Sequence, residues 1–232
     1  NTLYIVNQRS DGVYLETMDI SPAVTDASAS YLTHLDRKIT NSTTGVSESY
    51  NSGTNQTTIT IPYTKTNTLS LVGASTGSNQ AGQEISIVSQ TGTSVVVSGD
   101  ITSYDYFIGE DYTFTFTFSQ QFIQEADAQG SRISIKEGRL QIRNWSVNFN
   151  NTGFFTTLVQ PVGRSSSSTT FTGTITGTGL LGTVNLADGD YAFAVQSESD
   201  KLTVTLASDS HLPCNFINAS WQGYYVTASQ RV

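Results

Sequence analysis

GRLQIRNWSVNFNNTG, residues 138–153, changes phase in its middle. Leu140 and Ile142 alternate with Arg139, Gln141 and Arg143, the two-residue period of a half-buried strand. Trp145, Val147 and Phe149 keep that period, but on odd numbers instead of even ones. A one-residue slip sends every later side chain to the opposite face, so the stretch predicts a β-bulge between Arg143 and Trp145, or a bend between sheets. Asn150, Asn151, Thr152 and Gly153 supply turn chemistry. Phe154–Val159 then reads as the antiparallel partner of a hairpin.

The rest of the chain agrees with an all-β fold. Of its 232 residues only 13% are charged, about half the usual share. Ser, Thr, Asn, Gln and 19 glycines take their place, and β-branched residues fall in short alternating runs. With 37% hydrophobic and 10% aromatic residues the chain can build real cores. Its net charge of −8 argues against a general nucleic-acid binder, which presents a basic face, and suits a surface that DNA slides past without sticking. The single cysteine, Cys214, excludes an internal disulfide and reads as a buried, inert thiol. No signal peptide and no apolar run of membrane-spanning length occurs. The chain opens at Asn1 directly on strand pattern, which reads as a piece of a longer protein.

Residues 1–20 predict a hairpin around Ser10-Asp11-Gly12, completing a sheet whose other strands lie upstream, since two strands alone are marginal in water. With a linker this makes a segment 1–25. Residues 26–110 form a first β-sandwich or open barrel, with short strands at 45–50, 56–61, 68–72, 84–89, 94–98 and 104–108. Residues 111–232 form a second β domain. It opens on Asp111–Ser119, whose Tyr112, Phe114, Phe116 and Phe118 share one face and read as a core ridge, each buried Phe worth roughly 1.5–3 kcal/mol. A helical turn is expected at 122–128, then strands at 169–176, 183–185, 191–195, 202–206 and 215–225. Asp188-Gly189-Asp190 reads as a hairpin turn.

Motifs that could carry chemistry are weak. Gly177-Thr178-Gly179-Leu180-Leu181-Gly182 spells G-x-G-x-x-G, but no helix follows to receive a pyrophosphate, so no cofactor is expected. His34 and His211 lack a nucleophile elbow, and two histidines and one distant cysteine make no zinc cluster; neither catalytic nor metal residues are expected. Glycoside hydrolysis needs two carboxyls about 5–10 Å apart. The pairs on offer are Glu110 with Asp111, Glu125 with Asp127, and Asp188 with Asp190; the first points to opposite faces and the last has a turn role. Four of eleven basic residues, Arg132, Lys136, Arg139 and Arg143, fall within twelve positions. They read either as a solvated face with local ion pairs or as a contact for an acidic partner, with Arg139, Gln141 and Arg143 the candidate interface. Tyr104 and Tyr106 are a second candidate surface, on which sugars could stack.

Gly138–Arg143 with Trp145–Phe149 resembles the nozzle, or tail tubular protein B, family of short-tailed T7-like bacteriophages. Gly109-Glu110-Asp111-Tyr112 leading into Phe116–Ser119, Ser220–Tyr225, Leu35–Lys38, Thr60–Tyr63 and Val13–Met18 follow in the family's order and spacing. The resemblance implies a structural virion protein: six copies in a ring at the distal end of the tail, meeting an upper tail ring protein and tail fibres, with genomic DNA leaving through the lumen without sequence-specific binding. It implies a propeller-like upstream domain whose last strands are residues 1–25. It implies no enzyme activity and no membrane insertion by this segment. The alternatives are a phage-tail glycan hydrolase and a glycan- or receptor-binding β-module.

Overall fold

The computed structural model describes residues 2–9, 12–19, 31–74, 81–126, 130–135, 138–173 and 183–227. Every strand pairing in it is antiparallel, and the helical content among the described residues is one 3-10 turn, Ser199–Lys201. The chain divides into two compact units, Asn1–Tyr112 with Leu180–Val184, and Thr113–Gly179 with Asn185–Val232.

The first unit contains β1 (Thr2–Arg9), β2 (Gly12–Asp19), β3 (Asp36–Thr40), β4 (Ser47–Asn51), β5 (Gln56–Thr60), β6 (Leu69–Gly73), β7 (Ile87–Thr91), β8 (Ser94–Ser98) and β9 (Tyr106–Glu110). β1 and β2 form the expected hairpin; the other strands make sheets of order β3-β9-β6 and β4-β5-β8-β7. Alternation decides which side chains turn inward: Ile59, Val95 and Val97 from one sheet join Leu69, Leu71, Tyr106 and Ile108 from the other in one apolar cluster. The strand spacing read from Gly, Asn and Ser punctuation matches β4–β9 to within a few residues. β3 went unseen because Asp36, Arg37 and Lys38 give it no apolar alternation.

The second unit contains β10 (Phe114–Thr117), β11 (Ile123–Ala126), β12 (Arg132–Ile135), β13 (Arg139–Thr152), β14 (Phe154–Pro161), β15 (Ser167–Thr172), β16 (Ala187–Glu198), β17 (Leu202–Ser208) and β18 (Phe216–Val226). The sheets are β10-β17-β14-β15, β16-β13-β18 and the pair β11-β12. The 14-residue β13 is the centre of its sheet. Ile142, then Trp145, Val147 and Phe149, are buried, so the inward set switches from even to odd numbers where the sequence does. The register slips between Ile142 and Asn144 on both sides: against β18 Arg143 is the extra residue of a bulge, whereas against β16 the extra residue lies in β16, where Gln196 adopts φ 51°. Without the slip the aromatic half of β13 would face solvent.

Five expectations fail, four of them for identifiable reasons. Phe154–Val159 does not pair with β13: β14 lies in the other sheet, between β15 and β17. Asn151, at φ 47°, and Gly153, whose N–H donates to the Pro213 carbonyl, carry the chain across the core instead of reversing it within one sheet. The corner lets Phe149 and Phe155 meet at 5.6 Å from opposite sheets, joined by Phe171 at 4.5 and 4.9 Å. Asp188-Gly189-Asp190 is not a turn but part of β16; the Asp188 carboxylate accepts the Asn151 N–H at 2.6 Å and Asp190 accepts from Asn148 at 3.1 Å. Within the helix expected at 122–128, Ile123–Ala126 is the strand β11, where Ile123 pairs with Ile135 and strand pairing overrides helix propensity, while 127–128 lie outside the described residues. The ridge at 111–119 shortens to the four residues of β10, an edge strand, leaving Phe116 49% exposed and Tyr112 44% exposed. Residues 183–185 carry no strand.

Candidate functional site

Arg139, Gln141 and Arg143 are all exposed on β13. Arg139 forms an ion pair with one carboxylate oxygen of Glu198, at the end of β16, while Lys201 reaches the other oxygen at 2.5 Å. The Arg139 side chain is 74% exposed, so this pair adds little to stability. Arg143 donates to the Tyr224 hydroxyl at 3.3 Å and lies 5.4 Å from that ring's centroid, a cation–π contact at an exposed site. Beside Arg139 a recess of about 400 Å³ is lined by Phe122, Glu198, Asp200 and Tyr225 among others. Local ion pairs and an open guanidinium face therefore coexist on one strand. Arg132 is exposed on β12, and Lys136 lies outside the described residues.

A second arginine at an irregular strand position organises the first unit. The register of β3 with β9 jumps between Asp36 and Ile39, and Arg37 adopts φ 49°. This turns its guanidinium inward, 4.0 Å from the centroid of Tyr63 and 4.8 Å from that of Tyr14 on the β1–β2 hairpin. It donates to the Thr64 carbonyl at 3.2 Å and pairs with Glu110 at 3.4 Å. Glu110 is fully buried and also accepts from the Thr66 N–H at 2.9 Å, the Thr66 hydroxyl at 2.7 Å and Asn67 at 3.3 Å. Burial alone would push its carboxyl up; the Thr66 donors and Arg37 together outweigh that and hold it below the usual carboxylate range. Arg9 completes the junction, 2.7 Å from Glu16 and 3.8 Å from Asp36. Tyr63, shut in by burial and facing Glu110, has its phenol pushed up to about 12.

The two arginines share a construction. Opposite each irregularity stands a glycine whose missing Cβ lets the backbones close: a Cβ on Gly109 would meet the Asp36 carbonyl oxygen at 2.8 Å, and one on Gly223 the Gln141 oxygen at 2.3 Å. Sequence reasoning placed Glu110 in a carboxylate pair and missed this network. The signal was the recurrence of Arg, Gly and Tyr in stretches that carry the family resemblance.

The remaining candidates fall into place individually. Tyr106 is fully buried, its hydroxyl donating to Glu48 at 2.5 Å, and burial followed by that hydrogen bond pushes its phenol well up. Tyr104 is half-buried against the same core. Neither offers an open aromatic shelf. Glu125 is exposed on β11, its expected partner Asp127 lies outside the described residues, and so does 177–182, the G-x-G-x-x-G string. Cys214 is half-buried, and burial raises its thiol against a weaker opposing hydrogen bond with Ser208.

Antiparallel sheets with a single 3-10 turn among the described residues, arginines stacked on tyrosines and glycines fitted against strand irregularities describe an all-β protein. The match to known proteins is of that kind. The model for the bacteriophage nozzle protein family covers residues 1–232, and the chain belongs to that family. It is 32% identical over 138 residues to the tail tubular protein gp12 of Escherichia phage T7; the match takes in 59% of this chain and 17% of that protein's length.

Proposed function

We propose that this chain is part of a hexameric ring at the distal end of a short phage tail, through which DNA is ejected and on which tail fibres dock. The observation that carries the reading is the family match over all 232 residues. The charge supports it: a protein at net −8 does not hold the phosphate backbone by counterion release, so passing DNA is not retained. In this reading the two larger sheets of each unit close as β-sandwiches. The β1–β2 hairpin completes a sheet of an upstream domain, which supplies cover for Tyr4, Val6, Val13 and Leu15, each 66–73% exposed. The Arg37 junction then holds that upstream domain to the first unit. The upper tail ring, the fibres and neighbouring copies are the partners, and the virion is the place of action.

The outward face Arg139, Gln141 and Arg143 is the proposed contact for an acidic neighbour. Reversing Arg139 and Arg143 to Glu is expected to leave folding stability within about 0.5 kcal/mol, as both side chains are exposed. The same double reversal should lower the yield of assembled tails by on the order of tenfold or more, the equivalent of about 1.4 kcal/mol at an interface. Thermal unfolding and particle counts measure the two effects; unchanged particle yield contradicts the assignment.

A further inference from the structure

The β1–β2 hairpin meets the rest of the first unit on a small polar footprint. Its strands hydrogen-bond to each other and form a sheet of their own. Tyr14 apart, its large apolar side chains, from Leu3 to Met18, are 39–73% exposed, and none enters the apolar cluster of the unit. The half-buried positions among its described residues are Asn7 and Arg9 on β1 and Tyr14 and Glu16 on β2. All four share one face, since Asn7 pairs with Tyr14 and the other two stand two residues away along each strand. Arg9 donates to Glu16 at 2.7 Å and Asn7 to the same carboxylate at 3.3 Å. Across the joint, Arg9 lies 3.8 Å from Asp36 on β3, and the Tyr14 ring lies 4.8 Å from the Arg37 guanidinium.

Arg37 itself is anchored on the other side, to Tyr63 at 4.0 Å, the Thr64 carbonyl at 3.2 Å and Glu110 at 3.4 Å. The joint therefore has a parting plane between Arg37 and Tyr14, with two cations and three carboxylates around it and no aliphatic packing across it. An interface this small and polar is one across which parts of a chain move, and an element with few buried apolar contacts opens well below the cost of global unfolding. We propose that the hairpin is a hinged latch. It lifts off the first unit as a folded body, parting Arg9 from Asp36 and Tyr14 from Arg37, while the core around Leu71, Tyr106 and Ile108 stays closed. A domain built on the hairpin then changes its angle to the first unit without either part unfolding. This rests on the reading that the hairpin completes an upstream sheet, which keeps it folded once lifted, and it is independent of the ring.

Spin labels on the intact protein test the latch. With the native cysteines, Cys214 among them, replaced by serine, labels are attached through Met18→Cys in the hairpin and Ser98→Cys in β8, both exposed positions. Pulsed electron resonance reads the distance between them, and amide hydrogen exchange reads β1–β2 and β9 separately. At low salt the latched protein gives one narrow distance. Towards 1 M salt, where the screening length falls to about 3 Å, a second, broad population should grow about threefold or more. Tyr14→Ala combined with Arg9→Gln, both on the hairpin side of the joint, should make that population the major one at low salt while the amides of β9 stay protected. One narrow distance in the double variant, or in wild type at every salt, overturns the latch and leaves the upstream-sheet reading standing. Broadening that comes only with loss of β9 protection also overturns it, because the hairpin then opens with the core. Fast exchange of the β1–β2 amides under every condition removes the upstream-sheet reading and the latch together.

Discussion

Glu110→Ala will destabilise the first unit by about 3–5 kcal/mol, the cost of leaving a buried charge without its partner. The Arg37 side chain is only 5% exposed and stacks between Tyr14 and Tyr63, so it cannot swing into solvent without dismantling the junction. Glu110→Gln keeps the shape and an acceptor for the Thr66 donors but removes the charge, and should cost less. The pH dependence has a definite sign. The folded carboxyl sits below its ordinary value of 4.5, so its contribution is full above that value and is lost as pH falls through the lower, folded one. Acid therefore weakens the wild-type first unit, and Glu110→Gln flattens that decline. Urea unfolding followed by far-UV circular dichroism between neutral and strongly acid pH measures both. Both tryptophans, Trp145 and Trp221, lie in the second unit, so the fluorescence midpoint should stay put.

Gly223→Ala should do the reverse, lowering the tryptophan-reported midpoint by about 3 kcal/mol, at the upper end for an overpacked site. The added methyl would fall 2.3 Å from the Gln141 oxygen and 3.1 Å from the Ile142 Cα, both backbone atoms of the central strand β13. No flexible side chain can yield there, and β13 is pinned on its other side by β16. Gln222→Ala, next along β18 and exposed, should change stability by no more than about 0.5 kcal/mol. Equal midpoints for the two variants contradict the close approach described for the bulge.

These two sites also mark where sequence could and could not be read. The slip at Arg143 was legible because alternation is local: eight side chains suffice to show that the inward set changes parity. The partner of β13 was not. Phe154–Val159 follows a turn and looks like a hairpin arm, yet two distant strands, β16 and β18, flank β13 and the corner at Asn151 sends β14 to the other sheet. Which strand pairs with which depends on contacts between residues as far apart as Thr152 and Ala187 or Arg139 and Val226, and alternation carries no record of them. The Arg37–Glu110 network was invisible for the same reason. Its members come from Tyr14, Arg37, Tyr63 and Glu110, and only folding makes them neighbours. The resemblance motifs did hold that information in another form. Five of them supply the two junctions: Val13–Met18, Leu35–Lys38, Thr60–Tyr63 and Gly109–Tyr112 converge on Arg37, while Gly223 of Ser220–Tyr225 fits against the bulged strand. Asp188 and Asp190 show the opposite error, where turn-forming residues stabilise an irregular strand from within it.

The ring is the central claim, and imaging the intact protein tests it most directly. Negative-stain electron microscopy, with light scattering on the same sample and with tail partners added, is expected to show closed sixfold rings. A protein that stays strictly monomeric in all of these conditions contradicts the account.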